Sequence, residues 1–221
     1  MYSQSSKIDI QKIKKKLEDN FSNLKIINSA YNKRNIFKNN ILANKKNKAL
    51  SGKEIKSAVL LPLVFSSDKK SLNILLTLRS KNLNNHAGQI SFPGGKLDQN
   101  DSGFSACALR ETEEELGFKQ DDISIIGELN FCITGSGYII KPIVGLLISK
   151  KNLSINYKEV EKIFEVPLGF ILDVRNHTTS NVKNKSNNEC YTYYDMYWKN
   201  NRIWGATASI LINFYEIIEG I

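Results

Sequence analysis

The turn Phe92-Pro93-Gly94-Gly95 leads shortly into Arg110-Glu111-Thr112-Glu113-Glu114-Glu115-Leu116-Gly117-Phe118, an unusual concentration of acid for one helix. At about 100° per residue, Glu111, Glu114 and Glu115 fall on one narrow helix face. Ser105, Leu109, Thr112 and Leu116 fall on a separate stripe, of the kind a helix buries against a sheet. Like charges three and four residues apart repel by roughly 0.2–0.5 kcal/mol per pair, and a cation between them reverses that sign. Clustered carboxylate oxygens suit a hard ion such as Mg²⁺ or Mn²⁺ rather than zinc or copper. An isolated E-x-x-E-E reads as a solvated acidic face. The upstream residues change that reading, because paired glycines let the backbone approach the helix start closely. Asp98, Asp101 and Ser102 supply side-chain oxygens that are expected to cap the helix. Strand, glycine loop, helix and acid cluster thus follow in the order needed to hold a metal-bound pyrophosphate.

This segment resembles the Nudix box, Gly-x5-Glu-x7-Arg-Glu-(aliphatic)-x-Glu-Glu-x-Gly-(aliphatic). Gly95 stands at the first glycine, and Arg110, Glu111, Glu114, Glu115 and Gly117 match the rest. Asp101 occupies the first glutamate position, eight residues rather than seven separate it from Arg110, and Thr112 and Phe118 replace aliphatic residues. The branch of the family similar to coenzyme A pyrophosphatases carries the same longer, Asp-bearing form. That branch also has an upstream motif, L-L-T-x-R-S-x-x-L-x-x-H-x-G-Q-x-x-F-P-G-G. Its counterparts here are Leu75-Leu76-Thr77-Leu78-Arg79-Ser80, Leu83, His86, Gly88, Gln89 and Phe92 through Gly95.

A chain of 221 residues can build one domain with a real core. Residues 1–54 are read as a Lys/Asn-rich, partly helical appendage and 55–221 as the Nudix hydrolase domain, the resemblance covering roughly residues 55–220. Apolar residues recur from Ile8 to Leu24 as in an amphipathic helix, and Asn32–Lys48 reads as a connector. Strands are expected at Ser57–Phe65 and Leu72–Leu78, joined through a turn at Ser66-Ser67-Asp68. Further strands are expected at Ile123–Ile126, at Leu129–Thr134, and at Tyr138–Ser149 with a break at Pro142. A short helix is expected around Phe170-Ile171-Leu172, and a polar loop from Asn176 to Glu189. Tyr191–Trp198 and Asn201–Trp204 read as a hairpin, and Ala206–Ile218 as an amphipathic helix. The fold class is α/β, and the resemblance implies a Nudix-type α/β/α sandwich around a mixed β-sheet.

The net charge of +9 accompanies a general richness in Lys, Asn and Ile. Without basic blocks interleaved with aromatics it does not describe a nucleic-acid surface. Cys107, Cys132 and Cys190 are scattered and make neither a disulfide framework nor a zinc pair. The longest apolar run, Ala58 to Phe65, is too short for a membrane span, so a cytoplasmic protein without membrane partners is expected. Composition does not choose between monomer and homodimer.

The resemblance implies a metal-dependent hydrolase that cleaves the diphosphate of coenzyme A or its derivatives to 3′,5′-ADP and 4′-phosphopantetheine. Glu111, Glu114 and Glu115 are expected to bind Mg²⁺ or Mn²⁺, with the carbonyl of Gly94 or Gly95 as a further ligand. Glu111 or Glu159 is expected to act as general base, and Arg110 to pair with a cluster carboxylate. Arg79, Ser80, His86, Gln89, Gly94 and Gly95 are the candidate substrate contacts. Pro142, Pro167, Trp204 and Thr207 read as turn and packing residues. Two other readings are carried. One is a Nudix hydrolase of ADP-ribose, NADH or a dNTP, which would lack the Arg79–Gln89 motif in this form. The other is a non-catalytic nucleotide-binding module, which would have lost members of the glutamate triad.

Overall fold

The computed structural model describes residues 10–27, 54–83, 85–134, 136–183 and 190–220. Its centre is the parallel pairing of β1 (Ile55–Phe65) with β7 (Tyr138–Leu147), in which Leu61 faces Val144 and Leu63 faces Leu146. Antiparallel strands extend the sheet on both sides: β2 (Leu72–Arg79), β3 (Ile90–Ser91), β4 (Gly94–Lys96), β5 (Ile123–Glu128), β6 (Cys132–Ile133) and β8 (Val160–Pro167). Among the described residues the path runs β3-β2-β1-β7-β5, with β4 beside β1, β6 beside β7 and β8 beside β2.

The near-continuous apolar run in β1 follows from cover on both faces. Ala58, Leu60 and Val64 point to one side with Leu75, and pack under α2 (Phe104–Leu116) against Cys107, Ala108 and Leu116. Leu61, Leu63, Ile74 and Leu76 point to the other side, toward α4 (Gly205–Glu219) and α1 (Ile10–Ile27). The result is the expected α/β/α sandwich, and the small helix α3 (Leu168–Ile171) closes one end of the second layer. No helix among the described residues is long and apolar enough to cross a membrane.

Several local expectations need correction. The strand β7 runs through Pro142 without a break. The Pro142 carbonyl accepts from Leu129 N at 3.0 Å, so its missing N–H faces the same side, where the ladder lapses between β5 and β6. That lapse also shortens the strand expected at Leu129–Thr134 to Cys132–Ile133. Part of the polar stretch after Asn176 is strand: β9 (Thr178–Lys183) pairs with β10 (Cys190–Trp198), which pairs with β11 (Asn201–Trp204). The hairpin is therefore part of a three-stranded sheet, whose first strand is held to β10 by backbone pairing. The closing helix α4 buries residues almost all round, from Thr207 to Ile218, because it lies between two sheets and α1. The Asn32–Lys48 connector lies outside the described residues.

The first helix is built into the core. Ile13 and Leu17 are fully buried and belong to the same apolar cluster as Phe214 and Leu63. Leu17 lies against Gly127 of β5, where even a Cβ would collide with it. Leu17→Ala should therefore cost about 2–5 kcal/mol of stability, read as a lower urea midpoint at unchanged m-value. A loss below 0.5 kcal/mol would mean that α1 is not docked as described.

Candidate active site

The face that α2 buries is rotated from the one expected. Cys107, Ala108, Thr112, Glu115 and Leu116 are buried, whereas Ser105 and Leu109 are only partly covered. At about 100° per residue these five span half the helix circumference, with Glu115 near the middle. The three glutamates therefore differ sharply in environment. Glu115 is 2% exposed, Glu111 is partly buried, and the Glu114 side chain is 54% exposed.

Arg110 organises the exposed half. Its Nε and Nη2 donate to the two oxygens of Asp101 at 3.0 and 2.9 Å, a bidentate charge-assisted pair. Its Nη1 donates to Glu111 at 2.9 Å and reaches both oxygens of Glu114 at 3.3 Å, while Nη2 also donates to the Lys96 carbonyl at 3.1 Å. This hydrogen bonding from Arg110 holds the Asp101 carboxyl down at about 2. It also explains why the expected caps are absent: Gly103 stands at the helix N-cap without a side-chain cap bond, because Asp101 is turned to the guanidinium. Asp98 instead accepts from Asn100 N at 2.9 Å within the loop.

Glu115 turns inward. Burial pushes its carboxyl up to about 8, and nearby Arg79 and the Gly94 backbone offset this only in part. The Arg79 Nη1 stands 3.8 Å from Glu115 Oε1, while Glu115 Oε2 and Arg79 Nε are buried without a hydrogen-bond partner among the described residues. Burial likewise raises Glu111, with Arg110 pulling it back and the charges of Glu114 and Glu159 adding to the rise. Glu159 comes from the loop before β8, accepts from Asn156 Nδ2 at 3.1 Å, and is close enough to perturb both Glu111 and Glu115. Thus the fold brings Glu159 to the helix glutamates. Among the described residues, no three acidic, His or Cys side chains converge into a finished metal-ligand set. The contacts show what each carboxylate meets instead: Arg110 pairs with Glu111 and Glu114, and Arg79 stands 3.8 Å from the buried Glu115.

Gly94 and Gly95 join these carboxylates to a cavity of about 660 Å³. Gly94 has φ 150° and lies so near β1 that a Cβ would meet the Ala58 carbonyl. A Cβ on Gly95 would run into the Glu111 carboxylate, so glycine here lets that carboxylate lie against β4. Both glycines line the cavity, together with Arg79, His86 and Gln89. His86 adopts φ 56°, and its Nδ1 lies 3.0 Å from Gln89 Oε1, which orients the pair. Ser80 is not brought to the cavity. It is buried at the end of β2, where its N–H donates to the Glu159 carbonyl at 2.8 Å and its Oγ accepts from Asn82 N.

The far wall was not found from sequence. Tyr138, Tyr193, Trp204 and Thr207 line it, and Thr207 Oγ1 donates to the Ile90 carbonyl at 3.0 Å. In the sequence Trp204 and Thr207 look like packing residues, and nothing local marks them otherwise, since the wall exists only once β10 and β11 fold beside β3. Of the cysteines, Cys107 and Cys132 are buried thiols, pushed up to about 11 and 12 by that burial. They are small apolar fillers rather than nucleophiles.

Comparison with known proteins agrees with this arrangement. The model of the NUDIX domain matches residues 55–142. NudL of Photorhabdus laumondii, described as an uncharacterized Nudix hydrolase, is 38% identical over 172 residues, covering 78% of this chain and 89% of its own. The protein of the same description from Yersinia pestis is 35% identical over 156 residues, 71% of this chain and 76% of its own. A MutT/nudix family protein from Enterococcus faecalis, of known structure, is 15% identical with a TM-score of 0.47, covering 74% of this chain and 61% of that one. On the strength of these sequence relatives, the chain belongs to the Nudix hydrolase family.

Proposed function

We propose that this Nudix hydrolase cleaves the diphosphate of coenzyme A or a derivative, giving 3′,5′-ADP and 4′-phosphopantetheine or its acyl form. The observation that carries the reading is one of place. Arg79, His86 and Gln89, the residues of the upstream motif, line the same cavity as Gly94 and Gly95, which abut the acidic helix.

The carboxylates fit a divalent cation, of the kind hydrolases of this family generally use. Glu115 is a buried carboxylate with an oxygen unpartnered among the described residues, and the Arg79 guanidinium stands 3.8 Å away. Such a group is costly unless a positive charge meets it. Glu111, Glu114 and Glu115 would hold Mg²⁺ or Mn²⁺, with the Gly94 or Gly95 carbonyl as an additional oxygen ligand. When bound, the ion neutralises diphosphate charge and makes a coordinated water easier to deprotonate. The chain's own residues do the rest. Arg110 fixes the rotamers of Glu111 and Glu114 and exchanges its weak 3.3 Å contact with Glu114 when that carboxylate is needed elsewhere. Glu111, raised by burial, or Glu159, oriented by Asn156, takes the proton from the attacking water. Arg79 offers a forked cation to phosphate from the cavity side.

Glu114 is exposed and its side chain pairs with Arg110, so Glu114→Gln should leave the thermal midpoint unchanged while lowering kcat by at least about 100-fold, the scale of a lost charge-stabilising group. The assay uses coenzyme A, ADP-ribose, NADH and dNTPs with Mg²⁺ or Mn²⁺. Release of 3′,5′-ADP from coenzyme A, abolished by EDTA, is the expected result. Cleavage of another substrate in its place would discard the coenzyme A reading and keep the carboxylate assignment. Retention of activity within a few-fold in Glu114→Gln would discard that assignment.

The buried carboxyl also gives a stability signature. In the unfolded chain Glu115 ionises near 4.5, whereas in the metal-free fold it keeps its proton until about 8. The folded state binds more protons across that window, so this group's contribution is fully present below 4.5 and is lost as pH rises through 8. Glu115→Gln should therefore gain stability relative to wild type as pH rises over that range in EDTA, and added Mg²⁺ should stabilise wild type only. Parallel Tm-versus-pH curves for the two proteins would contradict the burial of an uncompensated Glu115.

A further inference from the structure

Tyr193 and Trp204 lie far from the glycine loop in sequence, yet they form the wall of the cavity that holds Arg79 and Gly94. Their ring centroids stand 5.9 Å apart at 77°, an edge-to-face pair. Trp204 is also fixed by a cation. The Arg202 guanidinium lies 5.1 Å from the indole centroid, and its Nε donates to Asp195 at 2.6 Å. Asp195 is wholly buried, so the contact that orients Arg202 is itself immobile. The indole nevertheless remains only partly covered, and a Cβ built on neighbouring Gly205 would meet nothing within 4 Å. A core tryptophan is surrounded on all sides, whereas this one is held by Tyr193 and Arg202 while open space adjoins it.

We propose that Trp204 and Tyr193 form the subsite for the nucleobase of the diphosphate substrate, with Arg202 as the residue that positions the indole. The inference rests on the substrate being a nucleoside diphosphate derivative and not on coenzyme A in particular. An aromatic wall binds a planar base through dispersion and electrostatic stacking, and one cavity of about 660 Å³ is of nucleotide size. A base seated on this wall leaves its sugar and diphosphate to extend toward Arg79 and Gly94–Gly95, which line the same cavity. The subsite thereby sets which end of an unsymmetrical diphosphate faces the small sheet.

The chain has two tryptophans, Trp198 and Trp204, so full-length protein carrying Trp198→Phe reports from Trp204 alone. Titration with AMP should quench that fluorescence saturably, and ribose 5-phosphate, which lacks only the base, should not. In hydrolysis of the nucleotide substrate, Trp204→Leu should raise KM roughly tenfold, as loss of one stacked base would, with kcat little changed; Trp204→Phe should restore most of the affinity. Equal quenching by both probes, quenching by neither, or an unchanged KM in folded Trp204→Leu would overturn the subsite. The fluorescence arm decides the matter if Trp204→Leu does not fold. AMP quenching with coenzyme A left intact would sink the coenzyme A reading and keep the subsite; coenzyme A hydrolysis with a silent Trp204 would do the reverse.

Discussion

The close approach of Gly94 and Gly95 to β1 on one side and to Glu111 on the other sets where every other group of the site can stand. A side chain at Gly94 would push β4 away from the Ala58–Val59 backbone, and one at Gly95 would displace the Glu111 carboxylate. With both glycines in place, the β4 backbone pairs with β1 at Ala58 and Val59, and α2 packs its small residues Cys107 and Ala108 on the same strand region. The acid face is thus delivered beside a cavity that both glycines line. Backbone that close to a carboxylate leaves little room for bulk water, and that exclusion accounts for the raised proton affinity of Glu111 and Glu115.

Charge balance within the cluster is uneven, and the unevenness is informative. Arg110 satisfies Asp101, Glu111 and Glu114 together, and the low value of Asp101 records how well. Glu115 receives no comparable partner, since Arg79 stands at 3.8 Å and keeps an unbonded Nε of its own. One helix therefore holds a carboxylate group saturated by an internal cation and another carboxylate waiting for one. A helix designed by stability alone would have neither the like-charge repulsion nor the orphaned oxygen. Departures of this kind concentrate where function requires them.

Much of this was readable from residues alone. The α/β/α sandwich, the hairpin of β1 and β2, and the gathering of Glu111, Glu114, Arg110, Gly94 and Gly95 follow from local pattern and short sequence spacing. The errors share a cause. Asp101 has the composition of a cap, but a guanidinium nine residues along the chain is a stronger partner than a backbone N–H. Pro142 looks like a strand breaker, but the ladder has its gap where Pro142 lacks a donor. Helix periodicity puts Glu115 on one face with Glu111 and Glu114, but spacing alone does not reveal that the sheet beneath α2 buries it. Each time, a contact made by tertiary folding outweighed a local preference. Ser80, placed among the substrate contacts by its motif, serves the backbone between β2 and Glu159 instead.

The aromatic wall is the extreme case of the same principle. Tyr193 and Trp204 acquire a shared surface only when β10 and β11 pair with Asp195 opposite Trp204, and when Thr207 ties α4 to Ile90 of β3. The first of these contacts fixes the indole and the second fixes the distance between the small sheet and the glycine loop. Because β3 also pairs with β2, whose last residue is Arg79, one hydrogen-bonded path links the aromatic wall to the cation beside Glu115. The aromatic wall and Arg79 are therefore held in register by strand pairing and by one buried side-chain hydrogen bond, from Thr207. A ligand that spans both meets a distance already set, so its binding energy is spent on orientation of the diphosphate rather than on ordering the site.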